Sequence, residues 1–405
     1  MARSPGAHRL EGLGVTIFSE MTRLAIAHGA INLGQGFPDF PGPDFVKEAA
    51  VAAIRADLNQ YAPSHGLPRL CQAIARAFER SYGHPVDAER EVTVTTGATE
   101  GLHAALLALV DPGDEVIVFE PFYDAYVAQI RFAGGVPRPV TLWPPDWRFD
   151  PDELAGAFGP RTRAVIVNTP HNPTGKVFTR DELALIAALC QEHGVVAITD
   201  EVYERILYDG AVHIPLATLP GMWERTITLN STGKTFSMTG WKIGWAIAPP
   251  PLTQAIRTAH QFITFATATP FQEAMAVALE EAEASSYYTE LAAAYTERRD
   301  FLRQALEAAG LPVLPCRGSY FLLADASGLG FPDDVSLCRY LVTEVGVAAI
   351  PPSAFYADPA RAPVLARFCF AKRRETLQAA AERLAKLPSM RSPSSTPVAG
   401  RSDWL

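Results

Sequence analysis

Apolar and polar residues change period repeatedly along the chain, and the changes mark alternating helices and strands. DFVKEAAVAAIRADL (44–58), LPRLCQAIARAFERSY (67–82) and ATEGLHAALLALV (98–110) space their apolar residues at helical intervals. In the last of these, Leu102, Ala105, Leu106 and Leu109 share one face. Between and after them come short continuous apolar runs: VTVTTG (92–97), EVIVFEP (115–121), RAVIVNTP (163–170), GVVAITDEVY (194–203) and RTITLNS (225–231). Uninterrupted runs of that length suit strands buried on both faces of a mostly parallel sheet. The alternation predicts a three-layer α/β/α domain over residues 45–285. Beyond a helical stretch reaching residue 310 the character changes. LPVLPCRGSYFLLAD, VGVAAIPPSAF and LARFCFAK read as strands, with helices at VSLCRYLVTEV and ETLQAAAERLAKL. This predicts a smaller α+β domain over 286–387, joined by the N-terminal segment 1–44. The Ser/Pro-rich stretch 388–405 reads as a disordered tail.

Ligands of open α/β sheets bind beyond the carboxyl ends of the strands. That draws attention to the polar residues ending the runs: Thr96-Gly97, Glu120, Asn168, Asp200 and Ser231. At Gly97 a strand turns into a helix, so the free amides of Ala98 and Thr99 make an anion site or merely a tight turn. Asn172 stands in a loop stiffened by Pro170 and Pro173, where a cis peptide bond is allowed. Asp200 ends a buried strand, where a carboxylate needs a partner or must become a weaker acid; its plain reading is a helix cap. Tyr203 lies three residues on and could reach the same space, although a lone tyrosine is more often packing. Arg367 interrupts the apolar strand ARFCF, so it must pair or bind a carboxylate through both nitrogens.

Composition narrows the class. The chain has 405 residues, 48% hydrophobic and 20% charged, the profile of a globular protein with a large core. A net charge of −9 without a basic stripe argues against nucleic acid. Five cysteines without C-x-x-C spacing read as reduced thiols, and the nine histidines show no metal spacing. No apolar run approaches the about 18 residues that span a bilayer, and no secretory signal is visible. A cytoplasmic location is expected, with no metal and no membrane partner.

Gly233-Lys234-Thr235 matches the end of a nucleotide-binding P-loop, but two features exclude that reading. The required earlier glycine is Thr228, and FSMTGWKIGW, which follows, lacks a helical period. Lys234 instead stands among Ser231, Thr232 and Thr235, with Lys242 nearby, in what reads as a polar pocket.

Taken together, INLGQGFPDF, NQYAPSHG, TTGATEGL, EPFYDAY, NTPHNPTGKVF, ITDEVYE, STGKTFSMTGWKIGW and ARFCFAK resemble the class I, fold-type I aminotransferases that use pyridoxal phosphate (PLP). The motifs run in the family's order from residue 10 to 387, and are most like the methionine/aromatic and kynurenine–oxoglutarate groups. The resemblance implies a large α/β/α domain with a smaller α+β domain. It also implies a ping-pong exchange of an amino group between an amino acid and a 2-oxo acid. By it, Lys234 forms the Schiff base with PLP and shuttles the Cα proton, while Asp200 pairs with the ring nitrogen. Asn172 and Tyr203 bond the ring's 3′-oxygen, and Tyr123 stacks on the ring. Ala98, Thr99, Ser231 and Lys242 hold the phosphate, reached also by Tyr61 of a neighbouring subunit in a homodimer. Arg367, with Gly36 and Asn172, clamps the substrate carboxylate.

For the side-chain pocket the resemblance points to Phe18 and Phe265. The stretch HQFITFATATPFQ (260–272), which corresponds to the segment carrying a second arginine in aspartate aminotransferases, has no basic residue apart from His260. Neutral bulky donors are therefore expected: methionine, aromatic amino acids, glutamine or kynurenine. Phe18 and Ala266 replace a tryptophan and a histidine of some kynurenine enzymes. Two rivals are a PLP-dependent cysteine-conjugate β-lyase using the same Lys234 and a non-enzymatic PLP-binding regulator. The regulator would need a DNA-binding module, for which the motifs leave no room. A degenerate scaffold is disfavoured because Lys234, Asp200, Asn172 and Arg367 are all present.

Overall fold

The computed structural model describes residues 6–387, so the expectation for 388–405 lies outside the described residues. The strands are β1 (Ile31–Asn32), β2 (Val92–Thr96), β3 (Glu115–Glu120), β4 (Val136–Thr141), β5 (Thr162–Asn168) and β6 (Val196–Asp200). They continue with β7 (Thr226–Ser231), β8 (Ile243–Ile247), β9 (Phe321–Asp325), β10 (Val347–Ala348) and β11 (Leu365–Cys369). Seven of them form one sheet in the order β2-β8-β7-β6-β5-β3-β4. Strand β8 runs antiparallel to both of its neighbours and the other pairs are parallel. The architecture is the expected α/β one. Residues of β3 and β8 are buried throughout, which is why those strands carry no polar alternation, whereas β7 alternates Thr226 and Thr228 with Ile227 and Leu229 and is nonetheless buried almost throughout.

Two strands of this sheet interrupt the apolar pattern and were not expected. Strand β4 contains Pro137 and Pro139, tolerated because it lies at the sheet edge. Strand β8 contains Gly244, where a Cβ would fall 2.6 Å from the Ala98 backbone nitrogen. Glycine there lets β8 pass against the start of the helix Gly97–Leu109.

Two smaller sheets lie outside the large one. Strand β1 pairs parallel with β10, and β9 pairs antiparallel with β11. The N-terminal segment thereby joins the C-terminal part, and Met21, Ala25 and Leu33 share one core cluster with Phe368, Leu377 and Leu384. The expected strands at 311–325 and 345–355 are shorter than read. Around Pro312 and Pro315 the chain makes only isolated bridges, Val313 to Ala324 and Gly318 to Leu207, and the prolines at 351 and 352 follow β10 closely. Among the described residues no helix is long and apolar enough to cross a membrane.

Candidate active site

The carboxyl ends of β2, β5, β6 and β7 face one cavity of about 320 Å³. Lys234, Asp200, Tyr203, Ala98, Thr99, Tyr123, Asn172, Ser231, Lys242, Gly36, Arg367 and Phe18 all line it. Topology alone unites them, since Phe18 and Arg367 come from opposite ends of the chain.

Lys234 follows β7 in the four-residue helix Thr232–Thr235. No long helix follows it, and the chain instead enters β8. Its amine lies 5.8 Å from the ring centres of both Tyr203 and Tyr320. Burial lowers its pKa to about 8, against the opposing charge of Asp200, while Lys242 and Arg367 add to the lowering. With a pKa near 8 about a tenth of this side chain is neutral at pH 7, a few hundredfold more than for an ordinary lysine, which makes it usable as a base and nucleophile.

Asp200 ends β6, and burial raises its pKa. Tyr126 Oη donates to its Oδ2 at 2.6 Å and the Val202 amide approaches Oδ1 at 3.4 Å, both favouring the ionised form. The adjoining loop is fixed to the same strand end. Asn168 Nδ2 donates to the Asp200 carbonyl (2.8 Å), and Asn168 Oδ1 accepts from the Asn172 amide (2.7 Å). The Thr169-Pro170 and Asn172-Pro173 bonds are both cis.

At the other end of the cavity the helix Gly97–Leu109 starts directly after β2, so its first-turn amides have no intrahelical acceptor. Gly97 has φ +74°, and a Cβ there would lie 3.0 Å from Lys242 Nζ. Ser231 and Lys242 complete a concave, positively charged cradle suited to a phosphate.

Arg367 is 1% exposed. Its Nη1 donates to Asn172 Oδ1 (2.9 Å) and its Nη2 to the Gly34 carbonyl (2.8 Å), while Nε is buried without a partner. The guanidinium carbon lies 4.2 Å from the Phe321 ring centre and 5.0 Å from that of Phe18. Burial lowers its pKa, and among the described residues no carboxylate forms an ion pair with it. Because Asn172 Oδ1 is committed to Arg367, its amide nitrogen is the half left for a ligand.

Tyr61 and Phe265 are not brought to this cavity by their own chain. They pack edge to face at 5.2 Å, 83% and 48% exposed. The helix Pro250–Ile263 has ended and Phe265 adopts φ 68°, which leaves its ring at the surface. His260 is fully buried between Glu100 Oε1 (2.9 Å) and the Ser64 carbonyl (2.7 Å), away from the cavity wall.

Sequence reasoning missed Tyr126, Phe321 and Tyr320, whose hydroxyl donates to the Gly36 carbonyl at 2.6 Å. Tyr126 could have been suspected from its place three residues after Tyr123. It also missed a cluster of the buried Glu201 and His213 with the half-buried Glu204, whose ligand-capable atoms lie within 4.8 Å of one another. Each is engaged: Glu201 with His213, and Glu204 with Tyr82 and Arg205.

The sequence profile of aminotransferase class I and II matches residues 28–384. The chain is 46% identical to methionine aminotransferase of Escherichia coli, over 94% of this chain and 97% of that one. It is 43% identical to human kynurenine–oxoglutarate transaminase 1, over 95% and 99%. A solved Escherichia coli structure with a methionine aminotransferase function superposes with TM-score 0.91 at 45% identity, over 95% of this chain and all of that one. N-succinyldiaminopimelate aminotransferase from Mycobacterium tuberculosis superposes with TM-score 0.90 at 46% identity, over 94% of this chain and all of that one. This chain belongs to the class I and II aminotransferases, a PLP-dependent family of enzymes that exchange amino groups between amino acids and 2-oxo acids.

Proposed function

We propose that this chain holds PLP in the cavity and moves the amino group of a neutral, bulky amino acid to a 2-oxo acid. The observation that carries the reading is the pairing of Lys234 with Arg367 in one cavity. One is a lysine whose pKa is lowered to about 8, the other a buried guanidinium with no ion-pair partner among the described residues. A buried unpaired cation is unfavourable unless a ligand completes it, and a carboxylate matches its fork.

The residues fit the cofactor. The cradle of Ala98, Thr99, Ser231 and Lys242 would take its phosphate, Asp200 would keep its ring nitrogen protonated, and Asn172 Nδ2 and Tyr203 would bond its ring oxygen. Tyr123 would stack on its ring. When bound, PLP supplies a reactive aldehyde and an electron-withdrawing ring that stabilises negative charge at the substrate Cα. Lys234 would then take and return the Cα proton. Arg367 and the Gly36 amide would hold the α-carboxylate so that the Cα–H bond faces Lys234.

Phe18 and Phe321 around Arg367 favour an apolar side chain, and His260 is tied to Glu100 rather than aimed at a distal carboxylate. Tyr61 and Phe265, exposed here beside the exposed Phe262, would complete the cavity of a second copy in a homodimer. The cysteines of the described chain are all free and buried, and we propose a cytoplasmic location on that basis.

The test is a panel of single half-reactions on the PLP-loaded enzyme, read as loss of the cofactor's absorbance on adding each amino acid. Methionine, phenylalanine, glutamine and kynurenine should react well and aspartate poorly. Because one relative is named for N-succinyldiaminopimelate, that acidic compound belongs in the panel. A better rate with it than with methionine would overturn the neutral-donor reading. No reaction with any amino acid would overturn the function itself.

A further inference from the structure

Five consecutive backbone carbonyls, from Leu33 to Phe37, each accept a hydrogen bond from the C-terminal part of the chain. The Leu33 carbonyl takes the Cys369 amide (2.7 Å) and the Gly34 carbonyl takes Arg367 Nη2 (2.8 Å). The Gln35 and Phe37 carbonyls both take Lys372 Nζ, at 3.2 and 2.8 Å, and the Gly36 carbonyl takes Tyr320 Oη (2.6 Å). The Gly34 and Gln35 amides are satisfied by Asn32 Oδ1. Among the described residues the Gly36 amide has no partner, although Gly36 lines the cavity. Phe321 closes the other side, since a Cβ on Gly36 would fall 2.9 Å from its ring.

Lys372 stands out in this arrangement. It is 3% exposed and forms no ion pair among the described residues. Its ammonium has two carbonyls as partners and the Phe37 ring at 5.0 Å. Burying an ammonium against neutral acceptors is unfavourable, so its presence is not accounted for by stability. It bridges the carbonyls on either side of Gly36, and it lies five residues after Arg367 on the segment that begins as β11.

We infer that Lys372 is a positioning residue for the substrate carboxylate: by holding the carbonyls of Gln35 and Phe37 it fixes the Gly36 amide relative to the Arg367 guanidinium. The inference deepens the proposed function and rests on its assignment of Arg367 and Gly36 to the α-carboxylate. One short segment, 367–372, thereby sets both sides of the site that receives it. A loss of Lys372 should therefore act on carboxylate binding and leave the cofactor end of the cavity untouched.

The test compares wild type with K372M and K372R. In K372M, KM for the best amino acid should rise about tenfold while kcat changes by less than about threefold, as expected when a bond to the ground state and transition state alike is lost. Affinity for PLP should not change. K372R, which can still donate to both carbonyls, should recover most of the lost KM. Titration calorimetry with hydrocinnamate, a carboxylate without an amino group, gives the same comparison without turnover, and its Kd should weaken by about the same factor in K372M. Should K372M fold poorly, K372Q, which keeps a polar donor but is too short to bridge both carbonyls, should show the same KM-weighted loss. Equal hydrocinnamate affinity in wild type and the variant used, or no hydrocinnamate binding by wild type, overturns the inference. Wild type that binds hydrocinnamate but transaminates nothing refutes the proposed activity instead, and the Kd comparison then decides the inference alone.

Discussion

Tyr126 Oη donates to Asp200 Oδ2 across 2.6 Å, joining the helix Ala125–Phe132 to the end of β6. Burial pushes the Asp200 carboxyl toward its neutral form, and this bond is the largest of the influences that oppose it. Tyr126→Phe keeps the ring and removes the donor, so Asp200 should become a weaker acid and a weaker partner. PLP affinity should fall roughly tenfold, the scale of a hydrogen bond to a charged group. An absorbance titration of apoprotein measures it, with Asp200→Asn as the more severe case. Unchanged affinity would mean that Tyr126 only packs.

Lys234 predicts a pH dependence that can be read without cofactor. Its folded pKa, about 8, lies below its ordinary value of 10.5. Between those pH values the unfolded chain binds more protons, so stability of the apoprotein rises with pH across that window. Lys234→Met removes the ionisable group. The variant should be more stable than wild type at pH 7, by roughly 1–3 kcal/mol once solvent access through the cavity is allowed for. That advantage should shrink as pH passes from 8 toward 10.5. Urea unfolding at pH 7 and pH 9.5 compares the two; a constant difference would show that Lys234 is not held neutral by burial.

What could be read from the sequence, and what could not, follows from the range of each interaction. Strands buried on both faces announce themselves as apolar runs, and their polar last residues, Asn168, Asp200 and Ser231, proved to face one cavity. Strand β8 was hidden by Gly244, a residue needed because the Ala98 nitrogen passes within 2.6 Å of where its Cβ would be. Strand β4 was hidden by two prolines that only an edge strand tolerates. Tyr126 and Lys372 were invisible as site residues for another reason. Their partners lie 74 and more than 300 positions away, so no local pattern could mark them.

Arg367→Lys should separate carboxylate binding from cofactor binding. The guanidinium spans Asn172 Oδ1 and the Gly34 carbonyl while presenting its remaining face to the cavity. An ammonium cannot make that fork. KM for the amino donor should rise on the order of a hundredfold, the scale for breaking a buried charged contact, with PLP affinity unchanged. A small KM change would assign the carboxylate to another group.

Phe18 should govern preference rather than chemistry. Its ring lies 5.0 Å from the Arg367 guanidinium carbon and 5.8 Å from the Phe355 ring, on the apolar side of the cavity. Phe18→Ala removes a wall that a long side chain would touch and a methyl group would not. The ratio kcat/KM for methionine and phenylalanine should fall roughly tenfold, while that for alanine stays within about twofold. Equal losses for all three donors would show that Phe18 acts through Arg367 instead.

Gly97, on the cavity wall, and Gly244, behind it in β8, make different demands and should fail differently. A Cβ at Gly244 would meet the Ala98 backbone nitrogen at 2.6 Å, which neither the helix start nor β8 can relieve by a side-chain rotation. Gly244→Ala should therefore lower the thermal midpoint of the apoprotein. At Gly97 the obstacle is the flexible end of Lys242 at 3.0 Å, together with φ +74°, which for alanine costs about 1 kcal/mol. Gly97→Ala should fold, with the Lys242 ammonium displaced and the mouth of the anion site partly filled. The discriminating measurement is affinity for PLP against affinity for pyridoxal, which lacks the phosphate. Wild type should prefer PLP strongly, and Gly97→Ala should lose most of that preference while binding pyridoxal nearly as well as wild type. A variant that weakens both equally would place the phosphate elsewhere and detach Lys242 from it.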